Sequence, residues 1–164
     1  MIDSDLRARA EAVLDACRER ELKVATAESC TGGLISACLT DIAGSSSVFE
    51  RGFVTYSNEA KEEILGVPAE VILVQGAVSD AVVTAMADGA LKYSLADISV
   101  AVTGIAGPTG GGADKPVGLV YLATARRGGT TRPEHHIFPG DRAEVRRATA
   151  AKALELMLAR AEED

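Results

Sequence analysis

The chain has 164 residues, 17 Lys and Arg against 24 Asp and Glu, a net charge of -7, 47% hydrophobic and 25% charged residues. That length suits one domain with a real core, and the acidic balance would repel a phosphate backbone, which excludes nucleic acid as the default partner. No apolar run reaches the ~18 residues of a membrane span, and MIDSDLRARAEAV is too charged for a signal peptide, so a cytoplasmic protein with no membrane partner is expected.

In chain order, Leu6 to Arg20 sets Leu6, Val13, Leu14 and Cys17 near helical spacing among charges and predicts an amphipathic helix. LKVATAE (22–28) reads as a strand. TGGLISACLTDIAG (31–44) carries Leu34, Ile35, Cys38, Leu39 and Ile42 at helical intervals and stops at Gly44. VFERGFVTYS (48–57), rich in aromatic and β-branched residues, predicts a second strand, and a short helix from Asn58 to Leu65 ends at Gly66 ahead of Pro68. Ser79 and Asp80 cap a longer helix with Val82, Val83, Met86 and Ala90 on its apolar face. DISVAVTG (97–104) has the near-continuous apolar character of a strand buried on both faces, and it runs into the Gly-rich loop GIAGPTGGGADKP (104–116). VGLVYLATAR (117–126) and a strand at HHIF (135–138) form a hairpin through ARRGGTT (125–131). Asp141 then opens a long helix through Val145, Leu154, Leu156 and Leu158 that ends in AEED. With no repeat and no linker, residues 1–164 are expected to form one α/β domain, a three-layer α/β/α sandwich on a mixed, mostly parallel sheet. Ligands of such sheets collect beyond the carboxyl ends of strands, which points to three loops: Ser29, Tyr56–Lys61 and Gly104–Pro116.

Two roles are open to Ser29, between strand and helix: an N-cap, or a nucleophile whose oxyanion is stabilised by the same helix N-terminus. Gly32 and Gly33 would let a substrate approach the backbone. The stretch lacks the GxSxG elbow of α/β-hydrolases, since Ala27 and Thr31 hold the glycine positions. A serine nucleophile needs a base. His135 and His136, adjacent in a strand, point to opposite faces, so at most one could serve, and they cannot form a metal site together. Lys61 is the other base. If Asn58 caps the short helix, Lys61 falls at the third helical position, where the dipole disfavours a cation and favours a neutral amine. Its alternative is a surface lysine beside a core tyrosine, Tyr56. Cys30, at the same turn, is a weaker nucleophile candidate and otherwise a packing residue. The Gly-rich loop is no Walker motif, because Ala113 and Asp114 follow Gly112, yet its amides and Arg142 could hold an anion. The three cysteines, Cys17, Cys30 and Cys38, have no CxxC spacing and read as reduced thiols.

Taken together, AESCTGG (27–33), GSS (44–46) with Phe49, YSNEAK (56–61), TGIAGP (103–108), KPVG (115–118) and Phe138 with Gly140 and Arg142 resemble the CinA C-terminal domain family in order and spacing. The resemblance runs from about Leu6 to Arg160. Several characterised members are nicotinamide-nucleotide amidohydrolases, so it implies hydrolysis of the carboxamide of nicotinamide mononucleotide, with a small nucleotide as substrate and no metal or organic cofactor. It further implies Ser29 as nucleophile, Lys61 as base and Tyr56 as its hydroxyl partner, with Cys30, Thr31, Gly32, Gly33, Thr103, Gly104, Ala106, Gly107 and Arg142 binding substrate. A homodimer or higher homo-oligomer is implied as well. The alternatives are a non-catalytic nucleotide- or partner-binding module of the same fold, and a serine amidase for another amide.

Overall fold

A computed structural model describes residues 2–164. The elements run α1 (Ser4–Glu19), β1 (Val24–Glu28), α2 (Leu34–Thr40), a 3-10 turn at Ser45–Ser47, β2 (Phe49–Val54), α3 (Asn58–Leu65), α4 (Ala69–Gln75), α5 (Asp80–Lys92), β3 (Ile98–Gly104), β4 (Leu119–Arg126), β5 (Arg132–Ile137) and α6 (Arg142–Ala161). The sheet order is β2-β1-β3-β4-β5. β1 pairs parallel with β2 and β3, while the β3–β4 and β4–β5 pairs are antiparallel. The sheet is therefore mixed as expected, and β4 alone runs against the other strands.

Strand alternation divides the core between the two faces. Val24, Ile98, Val100, Val102, Val120 and Leu122 pack with the buried residues of α1, α2 and α6, whereas Ala25, Ala27, Ala101, Ala123 and Ala125 pack with α5 and with Leu65 and Ile72. Bulky β-branched side chains thus fill the wide layer, and alanines let α5 lie close. Gly89 on α5 marks how close: a Cβ there would stand 2.1 Å from the carbonyl oxygen of Leu65. The resulting three-layer sandwich gathers the carboxyl ends of β1, β2 and β3 at one edge, where the chain turns into α2, α3 and the Gly-rich loop. No helix among the described residues is long and apolar enough to cross a membrane.

Several boundaries differ from expectation, each for a local reason. α2 starts at Leu34 rather than Thr31, because Gly33 (φ 102) turns the chain there. α3 is capped by Ser57, whose hydroxyl accepts the N–H of Ala60 at 3.0 Å, so Asn58 is the first helical residue and Lys61 the fourth. β2 ends at Val54, leaving Tyr56 and Ser57 free to enter that cap. β5 starts earlier, at Arg132, and includes Pro133, which an edge strand tolerates. No element is expected from the sequence between Gly66 and Ser79, yet Ala69–Gln75 forms α4 behind Pro68, with Leu73 86% exposed. Its outward-facing apolar residues, Leu73 and Val74, break the amphipathic pattern that reveals a helix.

Candidate active site

Two consecutive residues at the end of β1 set up the site. Glu28 and Ser29 point to opposite faces of the sheet. Glu28, fully buried, reaches α2: Oε1 accepts the Thr31 hydroxyl at 2.7 Å and the Ile35 N–H at 2.8 Å, while Oε2 accepts the Ser36 N–H at 2.9 Å and the Ser36 hydroxyl at 2.8 Å. The cap of α2 is therefore the carboxylate of Glu28, and Ser29 is not an N-cap. The same contacts occupy amides expected to serve an oxyanion, so the N-terminus of α2 is not free for that role.

Ser29 turns the other way, toward α3. Its N–H still donates to the Val102 carbonyl at 3.1 Å, which prolongs the β1–β3 ladder and fixes the backbone. Its Oγ lies 3.0 Å from the Nζ of Lys61. Lys61 is 1% exposed, and its Nζ also donates to the carbonyls of Thr55 at 3.0 Å and Tyr56 at 3.3 Å. Among the described residues no carboxylate pairs with it. Burial consequently holds the Lys61 amine below the ordinary lysine value of 10.5. Burial pushes the Cys30 thiol up to about 12, so that sulfur stays protonated and is a packing residue beside the serine. A hydroxyl touching a desolvated, uncharged-prone amine can transfer its proton as it attacks an electrophile.

Ser29 and Lys61 form part of a cavity of about 270 Å³, together with Cys30, Thr103, Gly104, Ala106, Gly107 and Arg142. Arg142, the first residue of α6, donates from Nη1 to the Gly107 carbonyl at 2.8 Å and from Nη2 to the Tyr56 hydroxyl at 3.1 Å. Tyr56 is 61% exposed on the cavity rim. Its backbone carbonyl, not its hydroxyl, meets Lys61, which corrects the expected hydroxyl partnership. The strand ends before Tyr56, and its ring swings outward to Arg142. Thr103 lines the cavity, but its hydroxyl donates to the Ala77 carbonyl at 2.9 Å and so holds the 77–78 wall.

Thr31, Gly32 and Gly33 do not line the cavity. The Thr31 hydroxyl is committed to Glu28, and the two glycines, at φ 60 and 102, carry the chain through a tight turn on the α2 side. They shape the turn. His135 packs on Tyr121 and His136 pairs with Glu134 on the β4–β5 hairpin, neither of them at the cavity. No cluster of His, Cys, Asp and Glu suited to a metal occurs among the described residues. Glu28, Asn58, Ala77 and Val78 are site residues not expected from the sequence. Glu28 alone carried a signal, a charge ending a strand whose other residues are apolar or small.

The model of the CinA C-terminal domain matches residues 6–161. The chain is 54% identical over 159 residues to the nicotinamide-nucleotide amidohydrolase PncC of Escherichia coli strain K12, covering 96% of this chain and 95% of that protein. It is 55% identical over 144 residues, 88% of this chain, to a CinA-like protein of Akkermansia muciniphila, of whose length it spans 35%. The crystal structure of the competence/damage inducible protein CihA from Agrobacterium tumefaciens superposes with a TM-score of 0.95 at 49% identity, covering 97% of each chain. With the match extending over nearly every element described above, the chain belongs to the CinA C-terminal domain family.

Proposed function

We propose that this chain is a nicotinamide-nucleotide amidohydrolase, converting the carboxamide of nicotinamide mononucleotide and water to nicotinic acid mononucleotide and ammonia. The observation that carries the chemistry is the 3.0 Å contact between Ser29 Oγ and a buried Lys61 amine that has no counterion. In its neutral form that amine donates two N–H groups to the Thr55 and Tyr56 carbonyls and directs its lone pair at the Ser29 hydroxyl. Ser29 attacks the amide carbon as Lys61 takes its proton. The lysine ammonium then protonates the departing nitrogen, ammonia leaves, and an acyl-enzyme remains. A water molecule gives its proton to the again neutral Lys61 and attacks the ester. The proton returns to Ser29 as the carboxylic acid leaves, and the acid then ionises to solvent.

With the α2 amides taken by Glu28, we assign the oxyanion to the backbone N–H of Cys30, the residue next to the nucleophile, and to the Gly-rich loop at Ala106 and Gly107. Arg142 supplies a guanidinium on the cavity wall for the nucleotide phosphate, with the Tyr56 hydroxyl beside it. A cavity of about 270 Å³ suits the pyridine carboxamide and its sugar, leaving the phosphate at the rim near Arg142. A homodimer or higher homo-oligomer belongs to the same proposal, supported by the exposed Leu73 and Val74 of α4, and mass measurement in solution tests it.

Ammonia release from nicotinamide mononucleotide by the purified chain, compared with Ser29→Ala and Lys61→Ala, tests the reading. Turnover is expected in the parent and a loss of at least about 10³-fold in each variant. Undiminished turnover in either variant rejects the Ser29–Lys61 pair. An inactive parent that still binds the nucleotide identifies a binding module, and turnover confined to a non-nucleotide amide identifies a different serine amidase.

A further inference from the structure

We propose that Glu28 is a positioning residue for Ser29, an inference that rests on Ser29 being the nucleophile of the reaction above. Helix α2 could be capped locally at position 33, but that position is Gly33, which has no side chain to offer. The cap comes instead from seven and eight residues upstream, from Glu28, which bonds the N–H groups of Ile35 and Ser36. Because Glu28 is joined to Ser29 by one peptide bond, the start of α2 and the nucleophile are fixed by a single side chain.

The network around this carboxylate is closed and directional. The Ser36 hydroxyl donates to Glu28 Oε2, so in its 2.6 Å contact with Thr26 the Thr26 hydroxyl is the donor. Thr26, Ser36, Thr31 and two backbone amides therefore all deliver hydrogens toward a group that only accepts, the ionised carboxylate. The neighbouring strand leaves room for the chain of hydroxyls. A Cβ on Gly52 of β2 would lie 2.6 Å from Ser36 Oγ and 3.1 Å from Thr26 Oγ1. The turn between the two ends is closed by Gly32 N–H to Ser29 O at 3.0 Å and clamped from α6 by Arg146, which donates to the Thr31 carbonyl at 2.8 Å. The Thr31 hydroxyl thus ties the 29–33 turn to Glu28, while the opposite face of the same dipeptide carries Ser29 to Lys61.

Replacing Glu28 by Gln keeps the shape but supplies one acceptor oxygen and one NH₂ group. The Ser36 hydroxyl can reverse to accept from that NH₂, but a backbone N–H cannot, so at least one amide of α2 loses its acceptor. The turn then shifts relative to β1. Displacement of a reacting group by about 1 Å costs on the order of 10²-fold in rate.

The test measures Glu28→Gln, Ser36→Ala and Thr26→Ala in the full chain by two readouts: kcat and KM on nicotinamide mononucleotide, and the rate at which a fluorophosphonate labels Ser29. A purely structural role moves stability alone; positioning moves kcat and labelling together. The expected result for Glu28→Gln is a fall of about 10- to 100-fold in kcat and in labelling, with KM changed less than about 3-fold and the circular dichroism spectrum retained. Ser36→Ala and Thr26→Ala fall less, and Glu28→Gln/Ser36→Ala falls no further than Glu28→Gln, because both act through one network. Unchanged kcat and labelling in folded Glu28→Gln overturn the proposal, as does a rise in KM alone. If Glu28→Gln does not fold, unchanged labelling in both hydroxyl variants overturns it. Should the parent fail to hydrolyse the nucleotide, the amidase reading falls and the labelling rates still decide the role of Glu28. A parent that does not label at Ser29 overturns both.

Discussion

Two cations are buried among the described residues, at opposite ends of the sheet, and their surroundings differ in one respect. Lys61, 1% exposed, meets three backbone carbonyls and a hydroxyl but, among the described residues, no carboxylate. Arg160, 3% exposed near the end of α6, donates to the Thr130 carbonyl at 2.8 Å and pairs with Glu163 at 3.1 Å. Burial lowers the proton affinity of both groups, but at Arg160 Glu163 works against that shift. An arginine stays charged throughout the working range, so it needs the carboxylate; a lysine can shed its proton, so it does not. The paired cation ties a helix end to the β4–β5 turn. The unpaired one is the proposed base, and the missing carboxylate is the observation that proposal rests on.

The strongest way to break the comparison is to make Lys61 resemble Arg160. Lys61→Arg keeps a positive charge but cannot deprotonate, so turnover should fall by about 10³-fold or more, as for Lys61→Ala. A steady-state assay of ammonia release checks it. Arginine activity within about 10-fold of the parent would show that charge, not a free lone pair, is what the site needs.

Ser29 and Lys61 were readable from the sequence as candidates: Ser29 from its place between a strand and a helix, Lys61 from a helix start where a cation is disfavoured. Their meeting was not, since 32 positions separate them and only the β1–β2 pairing brings α3 over the end of β1. Glu28 stood out only as a charge ending a strand, and its capping role was hidden for a related reason. Its partners lie on a helix that would normally cap itself, and only strand alternation shows that it faces away from Ser29. The orientation of Tyr56 depended on Arg142, 86 positions away, which no local pattern encodes. The layered architecture was legible because strand and helix periodicities are local, whereas α4 was not, its outward Leu73 and Val74 having no periodic face to announce it.

A sharper and smaller effect is the pH response of Lys61. With Lys61 as the proposed base, catalysis needs the neutral amine, so kcat/KM should rise with pH through the depressed value of Lys61 and level off below 10.5. Stability moves in the same direction. In the unfolded chain Lys61 titrates at its ordinary value, so between the depressed native value and 10.5 the unfolded chain binds more protons and ΔG of unfolding increases with pH. The penalty of burying the ammonium is felt in full below the native value. Comparing the pH dependence of Tm for the parent and Lys61→Ala isolates this slope, which should vanish in the variant. A slope that persists unchanged would mean that Lys61 titrates alike in the folded and unfolded chains, its burial being relieved by water.

The smallest effect tests the other cation. Glu163→Gln removes the carboxylate from Arg160 and from Arg132, which also pairs with it, and leaves a guanidinium that remains charged in a buried position. Glu163 is about a third exposed, so solvent screens part of the interaction, and the loss should be about 1 kcal/mol, read as a Tm decrease of about 2–4 °C. Activity per folded molecule should be unchanged, because Arg160 borders the turn at Thr130 and no cavity residue contacts it. If Glu163→Gln instead lowered kcat while leaving Tm alone, the two ends of the sheet would be coupled, and the division between a structural cation and a chemical one would fail.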